Sequence, residues 1–93
     1  MNKLICLDYD GTFTEFPDLM FLIIDYCKKH NIEIILTTMR MESEMDNGLE
    51  QIKKEIPVYF TSRKAKKDYL KSLGIYPTIW IDDNPLWIYK DAI

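Results

Sequence analysis

The chain has 93 residues, 47% of them apolar, and a formal net charge of −3. That length suits one domain, which hides roughly 60–65% of the surface its unfolded chain exposes, and it leaves no space for a second domain or a large lid. The negative balance argues against a general nucleic-acid coat or a membrane-surface role, though not against local basic patches.

The first predicted element is a strand over residues 3–7, carrying the run Leu4-Ile5-Cys6-Leu7. Lys3, Asp8 and Asp10 leave no apolar core for a signal peptide. The longest apolar stretch, residues 19–24, is far below the ~20 residues that span a bilayer, so a cytoplasmic protein is expected. Pro17-Asp18 opens a helix with Leu19, Leu22, Ile23 and Tyr26 on one face and Lys28-Lys29 near its end. His30 follows and is expected to serve the helix dipole, not catalysis. Cys6 and Cys27 have no partner at metal-ligand spacing and read as reduced, buried thiols.

A second strand is expected over residues 32–36, ending in Thr37-Thr38, then a helix over 43–54 with Met45, Leu49 and Ile52 as its apolar stripe. Pro57 opens a third strand, Val58-Tyr59-Phe60. A helix over 64–73 precedes Gly74, a C-cap residue. The last strand, 78–81, ends in Asp82-Asp83, and a short helix follows Pro85. Four short, nearly all-apolar strands alternating with helices predict a parallel sheet covered on both faces. The expected class is α/β, a three-layer Rossmann-like sandwich of about four strands joined by right-handed crossovers.

In such a sheet the carboxyl ends of the strands share one edge, where ligands bind. Asp8 and Asp10, Thr37 and Thr38, and Asp82 and Asp83 all fall there, and the third strand leads through Thr61-Ser62-Arg63 to Lys64. Gly11 lets the backbone turn sharply behind the first acids. Carboxylates crowded at one edge repel and raise each other's pKa. A hard cation relieves this, and Mg²⁺ does so while bridging to phosphate oxygens. Mg²⁺ and a phosphorylated substrate are therefore expected. Taken singly, Asp8-Tyr9-Asp10-Gly11-Thr12 and Asp82-Asp83-Asn84-Pro85 each read as a solvated turn; set directly after apolar strands and in this order, they read as a site.

The order of these motifs resembles the haloacid dehalogenase superfamily of phosphatases over essentially the whole chain. The first motif is Asp8-Tyr9-Asp10-Gly11-Thr12, and the second is Ile34-Ile35-Leu36-Thr37-Thr38. The third is a lysine within residues 64–67, and the fourth is Ile81-Asp82-Asp83. The resemblance implies a minimal catalytic core over 1–93 without a cap domain, acting as a Mg²⁺-dependent phosphomonoester hydrolase. It implies Asp8 as the nucleophile that becomes an aspartyl-phosphate. Asp10 becomes the general acid and base, with its backbone carbonyl toward the metal. Asp8, Asp10, Asp83 and Asp82 form the metal group, Asp83 preferred over Asp82, with Asn84 assisting the metal's waters. Thr38, or Thr37 if the strand end slips by one, would hold the phosphoryl group with Gly11. Among Lys64, Lys66 and Lys67, Lys64 is preferred for the catalytic charge and Lys67 comes second, because Lys64 sits nearest the third strand's end. The string Lys64-Ala65-Lys66-Lys67-Asp68 lacks the proline many relatives carry.

Two departures qualify the resemblance: no fifth core strand follows the acidic pair, and residues 12–16 are too few for a cap. An uncapped site implies a substrate that supplies its own closure, a nucleotide, a macromolecular or nucleic-acid end or a partner subunit, beside a small metabolite. Arg63, Lys64, Lys66, Lys67 and Lys71 form a basic run that can guide such a polyanion. Trp80 reads as core, while Trp87 and Tyr89 are expected to cover the sheet edge. The rival reading is a non-catalytic Mg²⁺- or phosphate-binding module that regulates a partner. A phosphoacceptor receiver domain does not fit, because no Asp follows the third strand.

Overall fold

Four strands form at the β-branched and aromatic runs: β1 (Leu4–Leu7), β2 (Glu33–Thr38), β3 (Val58–Phe60) and β4 (Ile79–Ile81). The computed structural model describes residues 3–92. The strands are all parallel in the order β3-β2-β1-β4. Four helices connect or follow them: α1 (Pro17–Lys29), α2 (Asn47–Lys53), α3 (Lys66–Ser72) and α4 (Leu86–Tyr89). The fold is a small Rossmann-like α/β sandwich.

Strand alternation divides the core in two. Leu7, Ile34 and Leu36 face α1 and α2 and pack with Ile24, Leu49 and Ile52. Leu4, Cys6 and Ile35 face the other way and pack with Leu70 of α3 and with Trp80. Both cysteines are buried and free, as expected, and burial pushes the Cys6 thiol up to about 11.

Register decides what meets at the strand ends. Leu7 is level with Leu36 on one side and Ile81 on the other. Asp8 therefore emerges beside Thr37 and Asp82, and its N–H donates to the Ile81 carbonyl at 2.9 Å. Gly74 takes φ +77° behind α3, as its C-cap role requires. Among the described residues no helix is long and apolar enough to cross a membrane.

Two expectations are corrected. The helix expected over 43–54 divides into a 3₁₀ turn, Glu42–Glu44, and α2. Asp46 breaks it, because its carboxylate caps α2 by accepting the Leu49 N–H at 2.9 Å. The buried face of α1 is also different. Met20, Ile24 and Cys27 point inward, while Leu19, Leu22 and Tyr26 are at least half exposed. Residues 19–24 are apolar at every position, so helical periodicity permits two stripes, and docking on the sheet selects one. Ile24→Ala should cost about 2–5 kcal/mol of stability through the cavity it leaves. Leu22→Ala, on the exposed side, should stay within about 0.5 kcal/mol. Urea unfolding of the two variants gives the ranking, and the reverse order would place the other stripe against the sheet.

Candidate functional site

The site is built from one turn, three strand ends and the start of α3. After β1 the chain enters the turn Tyr9–Phe13, in which Gly11 adopts φ +85°. A Cβ there would overlap the Asp83 carboxylate, so the position needs glycine for both conformation and space. The turn brings Thr12 back under Asp8. Its hydroxyl lies 3.0 Å from Asp8 Oδ2 and 3.3 Å from Asp83 Oδ1 and accepts the Asp83 N–H at 3.1 Å.

Lys66, the first residue of α3, is 2% exposed. Its ammonium donates to Asp8 Oδ1 at 2.5 Å and to Asp82 Oδ2 at 2.7 Å. An ammonium leaves water at a cost of several kcal/mol unless it is paired, and here it has two carboxylates. Burial pulls the Lys66 pKa down, but Asp8 and Asp82 outweigh it and hold it above its ordinary value. Burial pushes the Asp8 carboxyl up to about 7 against the pull of Lys66, and the adjacent Asp83 and Asp82 add to the rise.

Asp8, Asp82 and Asp83 each offer an oxygen within 4.8 Å of the others, a group that could hold a metal ion. The donor set is oxygen only, which suits a hard cation. Asp8 and Asp83 share the single hydrogen of the Thr12 hydroxyl, which offsets their charges only in part. These residues, with Thr38, Arg63 and Trp87, line an open cleft of about 310 Å³.

The expected residues divide into those that meet here and those that do not. Asp8, Asp82, Asp83 and Gly11 converge. Thr38 is buried and lines the cleft, with its oxygen accepting the Arg40 N–H at 3.3 Å. Thr37 takes the Cys6 thiol hydrogen at 3.1 Å and is spent in the core. Asn84 lines the cleft beside Asp83, its N–H donating to Asp82 Oδ1 at 3.0 Å. Asp10 also lines the cleft, but its carboxylate is outside the acidic group. Arg40 grips it in a fork, Nε to Oδ2 at 3.0 Å and Nη2 to Oδ1 at 2.7 Å.

The lysine assignment is corrected. Lys64 and Lys67 are exposed, and neither contacts Asp8; Lys67 instead lies 5.6 Å over the Tyr89 ring. Lys66 takes the position because the helix starts at it, and the sheet-facing Leu70 is four residues on, one turn along the same face. That spacing from an apolar residue is the signal the sequence carries.

Asp46 does not stand out in the sequence, and Arg40 does so only as the residue that closes Thr38-Met39-Arg40, with no partner indicated for its charge. Arg40 also donates to Asp46 Oδ2 at 3.0 Å and to the Glu44 carbonyl at 3.1 Å, and it lies 5.0 Å over the Tyr9 ring. The Tyr9 hydroxyl donates to Asp46 at 2.8 Å. Ser62 and Arg63 have φ of +54° and +71°, a conformation residues with side chains seldom adopt. Their N–H groups are tied to the Arg40 and Met39 carbonyls at 3.3 and 2.8 Å, so the loops after β2 and β3 lock together.

Compared with known protein families, curated sequences and solved structures, the chain has no match.

Lys66→Met leaves buried carboxylates without their cation and should cost about 3–5 kcal/mol at neutral pH. Lys64→Met, on the exposed side, should change stability by no more than about 0.5 kcal/mol; urea denaturation separates them. Stability should also depend on pH. Folded Asp8 keeps its proton up to about 7, whereas the unfolded group releases it near the ordinary 3.8. Across that window the unfolded chain binds fewer protons, so this group makes metal-free stability fall as pH rises, then level off above it. Asp8→Asn cannot titrate and should show a shallower fall in urea unfolding measured across the same window.

Proposed function

We propose that the cleft hydrolyses phosphomonoesters through an aspartyl-phosphate on Asp8, in the manner of haloacid dehalogenase-type phosphatases. The observation that carries this is the buried Lys66 ammonium held between Asp8 and Asp82, with the Thr38 hydroxyl lining the same cleft. A carboxylate beside a fixed cation at an open strand edge is placed to receive a dianionic phosphoryl group.

In this reading Asp8 attacks phosphorus, and the bond to the ester oxygen breaks. Asp10 gives its proton to that leaving oxygen, then takes one from the water that attacks the aspartyl-phosphate. Inorganic phosphate leaves and the Asp8 carboxylate is restored. Lys66 and Thr38 hold the phosphoryl oxygens through both displacements. Asp8 and Asp83, with Asp82 behind them, would hold Mg²⁺, which neutralises phosphate charge and relieves the repulsion among the carboxylates. Asp10 first has to exchange Arg40 for the leaving group, a change of side-chain partner at an exposed position.

The Arg40 grip on Asp10 favours a second reading, a module that binds Mg²⁺ and phosphate without turnover. Hydrolysis of an aryl phosphate by the purified protein, with and without Mg²⁺, separates the two. The expected result is Mg²⁺-dependent turnover that Asp8→Asn abolishes and Asp10→Asn lowers about 10²–10⁴-fold. No turnover, together with tight Mg²⁺-dependent binding of beryllium fluoride, would instead establish the binding module.

A further inference from the structure

A second cavity, of about 200 Å³, opens on the flank of the sheet beside β4, lined by Lys67, Lys71, Ile75, Tyr76, Pro77 and Trp80. Lys67 and Lys71 are one helical turn apart on α3, ~6 Å along its axis. Among the described residues neither forms an ion pair with a carboxylate. In a chain of net charge −3 this is a local cationic strip. Aromatic rings accompany it. Tyr76 is 65% exposed, Trp80 supplies part of the cavity wall, and Tyr89 stands against Lys67. Lys67 follows Lys66 directly in the first turn of α3, and Trp87, two residues before Tyr89 on α4, lines the Asp8 cleft.

We propose that this flank binds the strand behind the phosphorylated end of a single-stranded nucleic acid, whose terminal phosphate enters the Asp8 cleft. The substrate class rests on the phosphatase reading above; the binding surface does not. Cations spaced along a groove and exposed rings for base stacking are the combination that single strands use. An acidic peptide would satisfy the lysines but leave Trp80 and Tyr76 without a planar partner. A duplex keeps its bases paired and unavailable for stacking.

The test is fluorescence anisotropy of the full chain with a labelled single-stranded hexanucleotide, bearing a terminal phosphate or not, alongside aryl phosphate turnover. The unphosphorylated strand should bind with an affinity that falls as salt rises, and the matching duplex should bind at least tenfold more weakly. Combining Lys71→Glu with Tyr76→Ala should weaken strand binding at least tenfold and leave aryl phosphate turnover within twofold of the unsubstituted protein. Equal binding by that variant, equal binding of the duplex, or equal competition by polyglutamate would each overturn the proposal. A parallel loss of aryl phosphate turnover would do the same. Strand binding through this flank without any phosphate release would remove the phosphatase reading and keep the surface; the converse result would remove the surface alone.

Discussion

The Lys66 ammonium is the constraint on which the rest of the site depends. It is taken out of water between Asp8 and Asp82, at a cost that only close, hydrogen-bonded partners offset. The pairing draws together the end of β1, the end of β4 and the first turn of α3, three segments remote in sequence. It also leaves an excess of negative charge, because Asp83 stands beside Asp8 with only the Thr12 hydroxyl between them. That excess leaves an all-oxygen group that could hold a cation, and it adds to the burial that raises the Asp8 carboxyl to about 7. Asp91 supports the same corner from the other end of the chain, its carboxylate accepting the Ala65 N–H at 2.7 Å just before α3 begins.

A second charged group meets the same cleft at Asp10. Arg40 joins Asp10, Asp46 and the Glu44 carbonyl, and Tyr9 closes the circuit through Asp46. Burial would raise the Asp46 carboxyl, but the Leu49 N–H, the Tyr9 hydroxyl and Arg40 outweigh it and hold it below its ordinary value. This network fixes the turn that carries Asp10 to the segment that caps α2. The two groups separate the acids of the first motif. Asp8 faces inward to Lys66, while Asp10 faces the cleft mouth and Arg40. The left-handed backbone at Ser62 and Arg63 belongs to the same wall, since the Arg63 guanidinium reaches the Met39 carbonyl and Glu44 at 2.7 and 3.0 Å.

Much of this arrangement is legible in the order of residues alone. Val58–Phe60 is bounded as its residues suggest, because Pro57 and the polar run after Phe60 leave little choice. Thr38 rather than Thr37 reaches the cleft, as the preferred register implies; Thr37 falls on the Cys6 side of the strand. The lysine is less legible, carried only by its four-residue spacing from Leu70. Four cations lie within residues 63–67, and their order along the chain does not say where the helix starts. A shift of two residues turns a helical side chain by more than half a circle, which separates a buried ammonium from a solvated one. The inward face of α1 is ambiguous for the related reason that the helix is apolar on more than one side.

The amino-acid sequence by itself determined the α/β class, the four strands and the delivery of Asp8, Asp82 and Asp83 to one edge. These follow from local propensity and from strands running parallel. Only the tertiary structure decided which lysine is buried, which stripe of α1 faces the sheet, and that Arg40 holds Asp10. Those choices depend on desolvation and on charges brought together from distant positions, and no window of sequence contains both members of such a pair.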